Sequence, residues 1–111
     1  MSDMIDWVEE FPGFISVCDT EGIIVAMNRK IADYFASTGG KSLIGSSIFD
    51  CHSAESARQI REQLESRKMI VYTHDADGQQ ELVLHVPWYR EGEFAGLVEI
   101  ALPLESEMRN L

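Results

Sequence analysis

Basic residues are scarce in this chain: 9 lysines and arginines stand against 19 aspartates and glutamates, for a net charge of −10. Such a surface lacks the positive footprint that grips a phosphate backbone, so nucleic acid is not an expected partner. Anionic membrane surfaces repel it for the same reason, and the charge serves solubility. Cysteine is nearly absent. Cys18 and Cys51 are too few for a disulfide framework and lack metal-finger spacing. No apolar run approaches the length of a membrane span. The N-terminus carries neither a basic region nor the apolar core of a secretory signal, which makes the cytoplasm the expected compartment. Asp75-Ala-Asp-Gly78 has the start of a calcium loop without its later ligands or closing Glu, so no metal site is expected. Phosphate-cradling glycine loops and Gly-x-Ser-x-Gly elbows are also missing, and the chain is not expected to be an enzyme.

What is present fits one soluble domain: 111 residues, 45% of them hydrophobic and 25% charged. Two short β-rich runs, 14–17 and 23–27, flank Asp19-Thr-Glu-Gly22 and are too short for helices. Gly22 can take a positive φ there without steric cost. Met4, Trp7, Val8 and Phe11 recur at helical spacing before Pro12-Gly13, so residues 1–10 read as an amphipathic helix. Residues 29–36 read as a helix with Ile31, Tyr34 and Phe35 on one face, closed by Gly39-Gly40. The longest helix spans 54–67. Ser53 is placed to cap it, Glu55 lies in its first turn, and Ala57, Ile60, Arg61 and Leu64 share its inner face.

The remainder reads as β: strands at 69–74, 81–89 and 94–102, joined by turns at 75–78 and 90–93. On the second of these, Leu82, Leu84, Val86 and Trp88 make the apolar face, with His85 on the other. On the third, Phe94, Gly96, Val98, Ile100 and Leu102 oppose Glu99. A fully apolar face is expected to pack on the helices, which turns His85 away from any pocket. The expected fold is therefore α+β, a five-stranded antiparallel sheet with helices on one face. Residues 11–103 form the domain and 104–111 a polar tail.

That order of elements resembles the PAS domain, with Asp19-x-x-Gly22-x-Ile24-x-x-x-Asn28, Leu43-Ile44-Gly45 ahead of the long helix, and Gly92-x-x-x-Gly96 in the closing hairpin. Cys51-His52-x-x-x-Ser56 is similar to a segment of some bacterial PAS domains. The resemblance implies a sensory or protein-interaction module of bacterial signalling, with a cavity between sheet and helices and usually no catalysis. The candidate lining is Val17, Ile24, Tyr34, Phe35, Ile48, Ile60, Leu64, Val86, Trp88, Val98 and Ile100. The same residues make an ordinary core, and a filled core is the expected state because a dry void costs stability.

The cofactor is left unassigned. A flavin photoreceptor of the LOV type needs a cysteine near Ile48 within Asn-Cys-Arg-Phe-Leu-Gln, which this chain lacks. Haem-bearing PAS sensors take an axial histidine from the long helix, and 54–67 contains none, so haem is not favoured either. Cys51 and His52 are the candidates for a redox or haem role, although Cys51 packing inward and His52 starting the helix is the plainer one. Trp7, Val8 and Phe11 are the candidate homodimer interface. Three functions follow: a sensor of a small ligand or a signalling partner, a dimerisation module with a filled core, and a thiol switch or haem sensor at Cys51 and His52.

Overall fold

The computed structural model describes residues 5–104, apart from the side chains of Cys51 and Ala76. β1 (Phe14–Cys18) and β2 (Ile24–Met27) form the opening antiparallel hairpin, with Ser16 opposite Met27 and Cys18 opposite Ile24. Asp19 closes its turn: Oδ1 accepts from the backbone N–H groups of Glu21 and Ile23, each at 2.9 Å. An aspartate does this because its short side chain reaches amides two residues onward. Gly22 sits at φ +81°, and a Cβ there would lie 2.5 Å from the Phe49 ring. Backbone and packing both require glycine.

α1 (Arg29–Tyr34) starts at Asn28, whose Oδ1 accepts from the Ile31 N–H. The same oxygen accepts from the Ile15 N–H at 3.2 Å, and Nδ2 donates to the Gly13 carbonyl at 2.9 Å. One fully buried side chain thus pins β1 to the helix. α1 ends at Tyr34, shorter than the expected 29–36, and a 3-10 helix at Ala36–Thr38 continues it. Two more 3-10 helices, Gly40–Leu43 and Ile48–Cys51, lead to α2 (Ala54–Ser66). Ser53 caps α2 by accepting from the Ser56 N–H, and Arg67 ends it at φ +57°.

β3 (Ile70–Ala76), β4 (Gln79–Arg90) and β5 (Glu93–Pro103) complete one antiparallel sheet in the order β2-β1-β5-β4-β3. This is the expected α+β architecture. Gly96 lies where β5 passes β1, and a Cβ on it would lie 1.9 Å from the Cys18 carbonyl oxygen. The Trp88 indole, paired beside Gly96, donates to that same carbonyl at 3.0 Å. A compact core gathers Ile24, Met27, Ile31 and Ala32, with Phe14, Leu43 and Ile48 against it.

The structure corrects two expectations. Residues 5–10 form turns rather than a helix: Asp6 Oδ1 accepts from the N–H groups of Val8 and Glu9. These contacts have the form of a helix N-cap, but Pro12-Gly13 follows too closely for a helix to propagate from it; residues 1–4 and the tail 105–111 lie outside the described residues. The sheet is also reversed relative to expectation. Register places Ser16, Glu99, His85 and Ile70 in one row across four strands, and this row faces α2. Alternation assigns Val17, Val86 and Val98, and likewise Leu84 and Ile100, to the opposite face. Amphipathic alternation identifies two faces but not which one the helices cover.

Candidate functional site

A cavity of about 400 Å³ lies between α2 and the sheet. Volumes of this size accommodate small organic ligands. Ile48, Ile60, Ile70 and Leu97 supply its apolar walls. Ser16, Gln59, Gln63, Tyr72, His85 and Glu99 bring polar groups to it, so it is neither a dry void nor the filled core expected from sequence.

The polar groups converge on His85, half-buried at the middle of β4. Its Nδ1 lies 3.0 Å from Gln63 Oε1, and its Nε2 lies 3.0 Å from Glu99 Oε2. Tyr72 packs edge-on against the imidazole with its hydroxyl 3.4 Å from Nε2. Gln63 is only 4% exposed. Its Nε2 donates to the carbonyls of Lys68 and His85, each at 3.4 Å, so the α2 side chain is anchored to the sheet at the cavity wall. Burial, and secondarily the charges of Glu99 and Glu81, pushes the Tyr72 phenol up from its ordinary value, so it stays a donor. Burial likewise raises the Cys18 thiol. A raised thiol is a poor nucleophile, and Cys18 behaves as the small buried hydrophobe its strand position suggests.

Of the residues singled out from sequence, Ile48 and Ile60 line the cavity, and Val17 and Val98 border it. Alternation turns the last two side chains to the other face. Ile24 belongs to the adjoining core. Leu64 is half-buried on α2 away from the cavity, while Arg61 is exposed with its guanidinium 4.3 Å over the Phe49 ring. Tyr34 and Phe35 are 64% and 38% exposed and line nothing, because α1 turns its Ile31–Ala32 side inward. Val86, Trp88 and Ile100 stand on the far face of the sheet with the reversed pattern. His52 borders the cavity with Nδ1 2.5 Å from the Ile48 carbonyl; the Cys51 side chain lies outside the described set. Trp7 is exposed and meets Phe11 edge-on at 5.7 Å, with Val8 and Phe11 half-buried.

Sequence reasoning passed over Ser16, Gln63 and Tyr72, and it turned His85 and Glu99 away from the pocket that they in fact line. A signal was available: His85 and Glu99 are polar interruptions of two apolar strands that a hairpin turn at 91–92 places directly opposite one another. A haem does not suit these residues. Both ring nitrogens of His85, the histidine at the centre of the cluster, are already engaged within the protein. Among the described residues no group of three or more His, Cys, Asp or Glu could hold a metal ion, and no helix is long and apolar enough to cross a membrane.

A family model described as PAS fold matches residues 8–107. Among solved structures, the VqmA dimer of Vibrio cholerae, in the absence of target DNA, is 20% identical with a TM-score of 0.67 over 88% of this chain and 48% of that one. VqmA has also been solved bound to DPO. The PAS domain of histidine kinase ThkA is 13% identical, TM-score 0.67, covering 80% of this chain and 97% of that one. The Aer2 receptor from Vibrio cholerae, a dual PAS-haem oxygen sensor, is 14% identical, TM-score 0.61, covering 83% and 94%. At such identities the likeness is one of fold. The chain spans about half the length of VqmA. No curated protein matches.

Proposed function

The chain belongs to the PAS-fold family, whose members are generally sensory rather than catalytic, and from that premise we propose that it senses a small molecule in the cavity between α2 and the sheet. The observation that carries this reading is the cavity itself, about 400 Å³ with apolar walls and a fixed polar cluster on one side. A polar-walled space of that size holds water or ligand rather than vacuum. Similar proteins bind small groups, DPO in VqmA and haem in Aer2, which supports a sensing role without naming the ligand. In this reading residues 11–103 are the sensing domain, the protein is cytoplasmic and non-catalytic, and its output lies in a partner chain or further sequence.

Signal transfer is a population shift. Gln63 ties α2 to β4 through His85, so a ligand wedged beside that link changes the balance between α2 positions only by the difference in its affinity for them. The test is an absorption spectrum of purified protein, mass spectrometry of whatever it releases on denaturation, and a fragment screen followed by amide NMR. Fragments should perturb Ile60, Leu97 and His85 amides, and Ile60→Trp should abolish those shifts while leaving the spectrum dispersed. Fragments that bind elsewhere, or that bind Ile60→Trp equally well, would overturn the reading.

A second reading rests on the other side of the sheet. Val71 on that face is 51% exposed and Val86 and Val98 are half-buried, and Trp7 of the N-terminal segment is 58% exposed. Apolar surface left uncovered in this way suits a homodimer contact.

A further inference from the structure

We propose that Glu99, positioned by His85, is the specificity-determining group of the cavity, and that the cavity selects small uncharged molecules carrying an N–H or O–H donor on an apolar body. This rests on the cavity being a ligand site. Gln63 sets the direction of hydrogen bonding at His85. Its amide is oriented by two carbonyls: Nε2 faces the Lys68 and His85 oxygens, and a flipped amide would set oxygen against oxygen. Oε1 therefore faces His85 Nδ1 as an acceptor, so Nδ1 carries a proton.

The other ring nitrogen, Nε2, meets the Glu99 carboxyl at 3.0 Å. Two lone pairs do not approach that closely without a hydrogen between them, so a proton lies on the Nε2–Oε2 line. The Tyr72 hydroxyl, at 3.4 Å, is the weaker contact and does not displace it. Glu99 is thereby held by one oxygen. Oε1 takes part in no hydrogen bond among the described residues, and Glu99 lines the cavity with its side chain 42% exposed. Its free oxygen is an acceptor of fixed position, in the same row as the Ser16 hydroxyl on β1.

Three features set the ligand class. A carboxyl oxygen held in this way rewards a ligand that brings a donor with a hydrogen bond that an acceptor-only ligand cannot make. An anion would meet Glu99 inside a chain of net charge −10. A cation would lose hydration against Ile48, Ile60, Ile70 and Leu97, beside an imidazole that already shares a proton with Glu99.

The test uses benzamide, N,N-dimethylbenzamide and benzoate as probes, titrated into the whole chain and followed by amide NMR. Benzamide should shift the amides around Glu99 and bind about tenfold or more tightly than its dimethyl analogue, which keeps the ring and carbonyl but has no donor. Benzoate should be weaker still. In Glu99→Leu the preference for benzamide should shrink to within about twofold. Glu99→Gln, which keeps the shape, should show an intermediate preference and controls for any loss of folding in the leucine variant. Equal binding of the two amides, benzoate binding as well as benzamide, or an unchanged preference in Glu99→Leu would each overturn this inference and leave the cavity reading standing. Binding of none of the probes at the cavity would overturn both.

Discussion

Asn28 is 0% exposed and has no solvent to fall back on. It makes three hydrogen bonds, to Ile15, Ile31 and Gly13, which belong to a strand, a helix and the segment before the strand. Asn28→Ala leaves buried backbone groups unpaired and should cost roughly 3 kcal/mol by urea denaturation. Asn28→Asp should rescue little, since a carboxylate cannot donate to the Gly13 carbonyl. Cys18 gives a pH signature. Burial raises the folded thiol above its ordinary value of 9.0. As pH rises through 9.0 the unfolded thiol loses its proton while the folded one keeps it, so the unfolded state binds fewer protons and stability falls. The contribution is intact below pH 9.0 and declines above it until the folded thiol also ionises. Cys18→Ala should show a shallower decline of unfolding free energy above that pH, and iodoacetamide should modify native Cys18 slowly. Gly22 was legible because its turn is local, and Asn28 because it closes the hairpin motif and starts a helix, although Ile15 and Gly13 also bind it from far along the chain. Glu99 and His85 were not, because each is informative only beside the other.

At the scale of elements, the closing hairpin is the most demanding. Gly96 adopts φ +140°, and the Cys18 carbonyl and the Asp19 backbone fill the space that a Cβ there would need. Gly96→Ala should therefore separate β5 from β1 and cost at least roughly 3 kcal/mol in chemical denaturation; wild-type stability would show that β1 can yield there. α2 formed almost as its pattern required, because Ser53, the helix formers after it and the left-handed Arg67 all act within the element. Its buried face was less legible. Gln63 rather than Arg61 is buried, since the carbonyls of Lys68 and His85 satisfy an amide there. The N-terminal segment failed as a helix although Asp6 meets the amides of Val8 and Glu9 as an N-cap would, because Pro12-Gly13 follows too closely for a helix to propagate.

At the scale of the molecule, the far face of the sheet remains apolar and half-exposed around Val71, Val86 and Val98, and Trp7 of the N-terminal segment is exposed. Equilibrium sedimentation should find a dimer, and Trp7→Glu should weaken it by about tenfold or more; a monomer at high concentration would remove the dimer reading. The order of elements, the hairpin turns and the caps were readable from the chain alone, since these depend on residues near one another, and the antiparallel sheet followed from that order although β1 and β5 pair from opposite ends of the domain. Only the tertiary structure decided which face of that sheet looks at α2. Strand alternation is symmetric between the two faces, and the choice falls to the connections and to what the helices can satisfy. Here they cover the face with Ser16, His85 and Glu99, where Gln63 from α2 meets His85 and His85 meets Glu99.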